Sequence, residues 1–343
     1  MTFAKVLVTG GNGFIGAWTI KYLIDCDYEV LATVRSEDKA ASLKARFPGL
    51  QTAIVNDITA ADAYDDVVRD VEFIEHVAAP IFYRGASDSL AEFDAAVAPA
   101  IKSTLNILDA ARRNGSKVKK IVLVSSIYAH MSPERQIKES GLVINEKSWS
   151  PVTREQSSAP DAFPLDAYGY AKAEAERQAW DYIAKHDDVK YSLTTVNPVY
   201  VIGPYLIPQP QIDGTVGLLL PLLTSAEVPA GGLYVAYVED VANVLVTALE
   251  KDAAAGRRFI VSSSGFVSNA EFIESFARIF PDKKFPPLSK ELKEQGTPEL
   301  ATVDASLVTE LLGIKYSSVD KLVKAYGDMF FGPYGGTNKL VKA

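Results

Sequence analysis

The stretch "VLVTGGNGFIG", residues 6–16, decides how the rest of the chain is read. Three apolar residues and a threonine form a short β-pattern. Gly10, Gly11, Gly13 and Gly16 follow, fitting both a Gly-x-x-Gly-x-x-Gly and a Gly-x-Gly-x-x-Gly spacing. Beyond them "FIGAWTIKYLIDC" (14–26) has the apolar spacing of a helix. Glycines at a strand-to-helix junction allow a tight turn and let the backbone approach a pyrophosphate closely. The helix N-terminus, here Phe14, Ile15 and Gly16, then offers free N–H groups to the anion. Because the glycines sit between a strand and an amphipathic helix, the pattern predicts a dinucleotide site.

The alternation continues outward. "YEVLATV" (28–34), "TAIVND" (52–57), "EFIEHVA" (72–78), "KKIVLVSS" (119–126) and "YSLTTVNP" (191–198) read as strands. Helical patterns separate them: a charged segment between 57 and 72, a long helix from Leu90 to Asn114, and a helix containing Ala171 to Lys185. Near-continuous Val/Ile/Leu strands are buried on both faces, which predicts a parallel sheet in an α/β, Rossmann-type doubly wound fold. Past Pro198 prolines and glycines multiply and elements shorten. The expected division is a dinucleotide-binding domain of 1–198 plus 233–264, and a smaller substrate-binding lid of 199–232 plus 265–343. The segments 233–250 and 257–263 would return to the sheet.

Composition narrows the function. The chain has 343 residues, 48% hydrophobic and 23% charged, with a net charge of −8. That balance suits a soluble globular protein and disfavours nucleic acid or an anionic membrane as partner. One cysteine, Cys26, allows no intrachain disulfide and no paired-cysteine metal site. His76, His130 and His186 lie far apart, so no metal is expected. The N-terminal apolar run reads as a strand and not a signal peptide, and a reducing, cytoplasmic location is expected.

A nicotinamide cofactor with a free ribose usually meets an acidic residue at the end of the second strand. Here that strand runs into Arg35-Ser36-Glu37-Asp38-Lys39. Arg35 and Lys39, one helical turn apart, suit the doubly charged 2′-phosphate of NADPH. Asp57, with Ile58 beside it, could accept from the adenine amino group or could simply cap its loop.

"YGYAK" (168–172) poses a choice of tyrosine. Residues four apart share a helix face and residues two apart do not. Tyr168, and not Tyr170, therefore pairs with Lys172. A free tyrosine has a pKa near 10, and an ammonium beside it favours phenolate. Ser125 and Ser126 end the fifth strand, on the sheet edge where the glycine loop opens. Period two sends them to opposite faces, so one of them should reach a substrate oxygen.

Together TGGNGFIG, the serine pair, YGYAK and "NPVYVIGP" (197–204) resemble the extended short-chain dehydrogenase/reductase family. The likeness is greatest to its dihydroflavonol-reductase-like branch and to fungal carbonyl reductases. "ATVRSEDKAASL", "HVAAP", "EKSW" and "YVEDVANV" extend it over most of the chain. The resemblance implies an NADPH-dependent ketone or aldehyde reductase. In it Tyr168 would be the general acid, Lys172 would hold the nicotinamide ribose, and Ser126 would be the catalytic serine. It implies Ala78 and Ala79 along the cofactor, Pro198 and Val201 against the nicotinamide, and a structural or relay role for Asn106. Tyr128 departs from the small residues often found after the serines. A nucleotide-sugar epimerase or dehydratase would need a cation for a diphosphate, yet Val199 to Asp240 holds no Lys, Arg or His. A non-catalytic dinucleotide sensor would have no need of Ser126, Tyr168 and Lys172 together. The apolar, aromatic character instead suits a small neutral carbonyl substrate, with Phe82, Phe93, Tyr128, Tyr200 and Tyr205 as pocket candidates. A monomer or a homodimer through the helices 88–114 and 168–186 is expected.

Overall fold

The computed structural model describes residues 4–80, 90–132, 141–159, 161–163, 165–209, 211–289, 292 and 301–332. Its centre is a seven-stranded, wholly parallel sheet. The strands are β1 (Lys5–Thr9), β2 (Glu29–Val34), β3 (Gln51–Ile54), β4 (Phe73–His76), β5 (Lys120–Val124), β7 (Ser192–Pro198) and β10 (Arg258–Val261). Their spatial order is β10-β7-β5-β4-β1-β2-β3. Val6, Leu7 and Val8 of β1 are all fully buried, as a strand covered on both faces requires. One face carries Val6, Val8, Val122 and Val196, packed under the helices Phe14–Asp25 and Val238–Glu250. The other carries Leu7, Ile74, Ile121 and Leu193, under the helices Leu90–Asn114 and Asp166–Lys185. Strand order reverses at β1, between β2 and β4, so the ligand crevice of this fold opens over the C-terminal ends of β1 and β4.

Two expectations are corrected. The segment between β3 and β4 is a run of turns, not a helix. Tyr64, Val68 and Val71 are buried at helix-like spacing. However, Asn106 of the long helix takes the carbonyls of Ile58 (3.2 Å) and Ala60 (2.8 Å), which a helix would have used itself. Residues 233–237 also do not rejoin the main sheet. The strand β9 (Gly232–Tyr237) pairs with β8 (Tyr200–Ile202) and β11 (Phe266–Ser268) in a separate three-stranded sheet. Among the described residues after β7, β10 is the strand that returns to the main sheet. A third, two-stranded pairing joins β6 (Val143–Ile144) to β12 (Thr302–Val303).

The C-terminal region packs the helices Asn269–Ile279 and Val319–Phe331 against each other. Ser268 and Glu271 form a capping box that starts the first of them. Among the described residues no helix is long and apolar enough to cross a membrane.

Candidate active site

The glycine loop has the geometry its sequence demands. Gly10 has φ +68, and a Cβ there would sit 3.0 Å from the Ala78 backbone. A Cβ on Gly16 would strike the carbonyl oxygen of Gly10. Gly13 caps the helix Phe14–Asp25 without any side-chain hydrogen bond, and the first turn holds no acid. The amides of Phe14, Ile15 and Gly16 are therefore left facing the crevice, with the positive end of the helix dipole behind them.

A small clasp closes the other side of this loop. Thr9 Oγ1 accepts from the backbone N–H of Val77 (3.1 Å) and of Ala78 (3.0 Å). With both lone pairs used, the hydroxyl donates to His76 Nδ1 at 3.0 Å. The imidazole hydrogen is thereby placed on Nε2. Burial, and then the charge of Lys172, hold His76 down to about 3, so the ring is neutral. The clasp fixes Ala78 and Ala79 where the resemblance puts them beside a cofactor.

Past β2, Arg35 and Lys39 are exposed, and neither forms an ion pair among the described residues. Asp57 is exposed too, and its Oδ1 accepts from the amide and the hydroxyl of Thr59, which holds its carboxyl below the ordinary value. That is the loop-capping arrangement. Asn106 braces the turn that follows, and its amide is committed to two carbonyls, which accords with a structural role and leaves no hydrogen for a relay.

The helix Asp166–Lys185 carries Tyr168 and Lys172 one turn apart, beside the end of β5. Lys172 Nζ donates to the Val124 carbonyl at 3.3 Å. Burial pushes this ammonium down to about 8, opposed by the charge of Glu176. At neutral pH it is mostly protonated.

The two serines at the strand end part company, as period two requires. Ser125 Oγ turns inward and donates to Glu176 Oε2 at 2.5 Å. Ser126 caps the 3₁₀ turn Ile127–Ala129, accepting from the Tyr128 amide at 3.2 Å, and keeps its own proton to donate. Tyr128 stands edge-on to Tyr168, ring centroids 6.2 Å apart, and meets the Tyr200 hydroxyl at 2.5 Å. Burial raises the phenols of both Tyr128 and Tyr200, so both stay neutral.

The other pocket candidates divide. Phe93 is corrected: it is 1% exposed and fills the interface between the helices Leu90–Asn114 and Asp166–Lys185, with Ala167 and Ala171 around it. Its spacing on the long helix aims it at that neighbour. Tyr205 stacks edge-on against Phe14 at 5.2 Å, and Trp18 Nε1 donates to the Pro204 carbonyl at 2.8 Å. Pro198 closes β7 and Val201 is buried in β8, at the same end of the sheet. Phe82 lies outside the described residues.

One part of the site was missed from the sequence. Glu176 is 1% exposed and takes hydrogen bonds from three parts of the fold, the end of β5, β7 and β10. The signal was present: it lies four residues after Lys172 in "YAKAEAE", on the same helix face.

Comparison with known proteins agrees with this geometry. The model of the NAD dependent epimerase/dehydratase family matches residues 6–262. An uncharacterized oxidoreductase of Schizosaccharomyces pombe is 33% identical over 326 residues, spanning 93% of this chain and 94% of its own. The NADPH-dependent methylglyoxal reductase of Saccharomyces cerevisiae is 31% identical over 336 residues, spanning 93% of this chain and 96% of its own. Among solved structures, Gre2 from Candida albicans in complex with NADPH superimposes with a TM-score of 0.85 at 27% identity, covering 96% of this chain and 98% of that one.

Proposed function

The chain belongs to the NAD dependent epimerase/dehydratase family, and from that premise we propose that it is an NADPH-dependent carbonyl reductase acting on a small ketone or aldehyde. The observation that carries the reading is that Ser126 and Lys172 lie at the end of β5, with Tyr168 one helical turn from Lys172 and edge-on to Tyr128, on the sheet edge where the glycine loop opens. The relatives named as methylglyoxal reductase and as an NADPH complex support the cofactor and the reaction class.

The residues fit the cofactor. Gly10 and Gly16 let the loop close tightly on Ala78 and on its own backbone, the uncapped helix start faces the crevice, and Arg35 and Lys39 are free to take a 2′-phosphate. When bound, NADPH supplies the hydride. The chain's own groups do the rest. Ser126 donates to the carbonyl oxygen and holds it in place. Tyr168 gives that oxygen its proton as negative charge develops there. Lys172, an ammonium at neutral pH, favours the phenolate left behind and would hold the nicotinamide ribose. Tyr128 stands edge-on to both Tyr168 and Tyr200, which sets apolar ring surface beside the proton donor. The cation-free stretch Val199 to Asp240 suits a neutral substrate. A single exposed cysteine is compatible with a reducing, cytoplasmic setting.

The test is loss of reduced-nicotinamide absorbance with NADPH and NADH in parallel, against ketoesters, aryl ketones and dicarbonyls. Turnover is expected with NADPH. Tyr168→Phe should lower kcat by about 10²–10⁴-fold while NADPH binding, read by fluorescence, is retained. Ordinary turnover in that variant would sink the assignment.

A further inference from the structure

Behind Tyr168 and Lys172 the structure holds a knot of polar groups with no direct part in the reaction as described. Its centre is the Glu176 carboxylate. Oε1 accepts from Arg258 Nε at 2.6 Å and Thr195 Oγ1 at 3.0 Å, with Trp180 Nε1 at 3.4 Å. Oε2 accepts from Ser125 Oγ at 2.5 Å and Asn197 Nδ2 at 2.7 Å. These donors come from the end of β5, from β7, from β10 and from the helix itself. Arg258 is fixed in turn: Nη1 donates to the carbonyls of Glu146 and Ser148, and the guanidinium lies 3.7 Å from the Trp149 ring centroid.

We propose that Glu176 is a positioning residue for the reduction, pinning the Tyr168 helix to the carboxyl edge of the sheet and supplying the buried negative charge that keeps Lys172 an ammonium. The inference rests on the reductase reading. Three observations carry it. Glu176 and Lys172 are one turn apart on one helix face. The carboxylate has its lone pairs filled by donors from three strands, so the helix cannot slide or turn without breaking several of them. One of the donors is Ser125, the chain neighbour of Ser126, so the carboxylate also holds the strand end from which Ser126 projects.

The surrounding charges favour the same account. Burial raises the Glu176 carboxyl, but Arg258, His130 and the hydrogen bonds outweigh it and hold the group below its ordinary value. Groups facing Lys172 and Glu176 from the neighbouring elements are His76 on β4, His130 after β5 and Arg258 on β10, while Glu146, in the loop after β6, meets Arg258 and Ile260. Tyr128, Tyr200 and Asp166 stand on the Tyr168 side. Burial lowers His76 to about 3 and His130 to about 4, so both are neutral above pH 5. Burial raises Glu146. Glu176 and Arg258 are therefore the nearest charges that can be altered without touching Lys172.

The test is the alkaline limb of the pH profile of kcat/KM for NADPH-dependent reduction. That limb belongs to the coupled Tyr168–Lys172 pair. Removing a neighbouring negative charge lowers both pKa values and removing a positive charge raises both, so the sign does not depend on which group the limb reports. Glu176→Gln should move the limb down by about one pH unit, and Arg258→Gln should move it up. Thr195→Val removes one hydrogen bond from the same carboxylate but no charge, and should leave the limb in place. The same signs are expected in the pH dependence of NADPH affinity, which requires no turnover. It keeps this test separate from the reductase reading, whose failure would show as an inactive unaltered chain. A limb that stays put in both charge variants, or moves the same way in both, overturns the proposal. Should Glu176→Gln fail to fold, Arg258→Gln against Thr195→Val decides by the same criterion.

Discussion

Glu75 and Glu176 are sealed from solvent to the same degree, at 0% and 1% exposure, and they could hardly be housed more differently. Glu176 fills its oxygens with donors from three strands and its own helix, one of them a guanidinium. Glu75 sits mid-sheet on β4, with Val8 on one side and Val122 on the other. Among the described residues neither of its oxygens has a hydrogen-bond partner. Burial alone raises its pKa well above the ordinary value, so it is held as the neutral acid. Burial does not decide a carboxyl's charge; the donors brought to it do. The ionised glutamate lies on the active-site helix itself. The neutral one lies under helices that carry no candidate catalytic side chain.

The contrast can be broken most forcefully at Glu176. Glu176→Leu removes the acceptor and leaves the Arg258 guanidinium buried without its anion. Stability should fall by about 3–5 kcal/mol, read from urea unfolding. A loss below about 1 kcal/mol would mean that the knot contributes little.

At Glu75 the opposite sign is expected. Glu75→Met keeps the volume and removes two unpaired oxygens, and should stabilise the protein by about 1–3 kcal/mol at pH 7.5. The gain depends on pH. Below the ordinary carboxyl value of 4.5 the acid is protonated whether the chain is folded or not. As pH rises above it, the unfolded chain ionises and the folded one does not, so the original protein loses stability until the raised folded value is reached. Glu176, with its lowered value, contributes stability above 4.5 that is lost on acidification. The two groups thus tilt the stability curve in opposite directions. If the unfolding midpoints of Glu75→Met and the unaltered chain keep a constant gap from pH 4 to pH 8, the neutral-acid account of Glu75 is wrong.

The serine pair sharpens the comparison with a smaller effect. Ser125→Ala takes one donor from Glu176 and should lower stability by about 1 kcal/mol, with turnover within a few-fold of the original. Ser126→Ala should lose a similar amount through its missing cap on the 3₁₀ turn, about 1 kcal/mol, but with kcat reduced tenfold or more. Interchanged results would exchange the roles given to the two hydroxyls.

Much of this was legible in the residues. β1, β2 and β5 show as Val/Ile/Leu runs because each is covered on both faces. Tyr168 and Lys172 show because helix periodicity is local. What escaped the sequence is non-local. "LYVAYV" has the same composition as the sheet strands, and only its pairing with β8 and β11 puts it in the small sheet. Phe93 reads equally as pocket or core until the partner helix is placed. The turns before β4 escaped because the residue that redirects their carbonyls, Asn106, lies more than forty positions away.

The pair of Glu176 and Arg258 is separated by 82 positions along the chain. A ribosome releases the glutamate long before the arginine, which arrives on β10, the last strand to join the main sheet. Until that edge strand docks, the glutamate has no cation to be sealed with and is best left in water. The helix bearing Tyr168 therefore acquires its final seat in the same cooperative step that completes the sheet. A nascent chain ending before Arg258 would hold the catalytic side chains and still lack the means to set them.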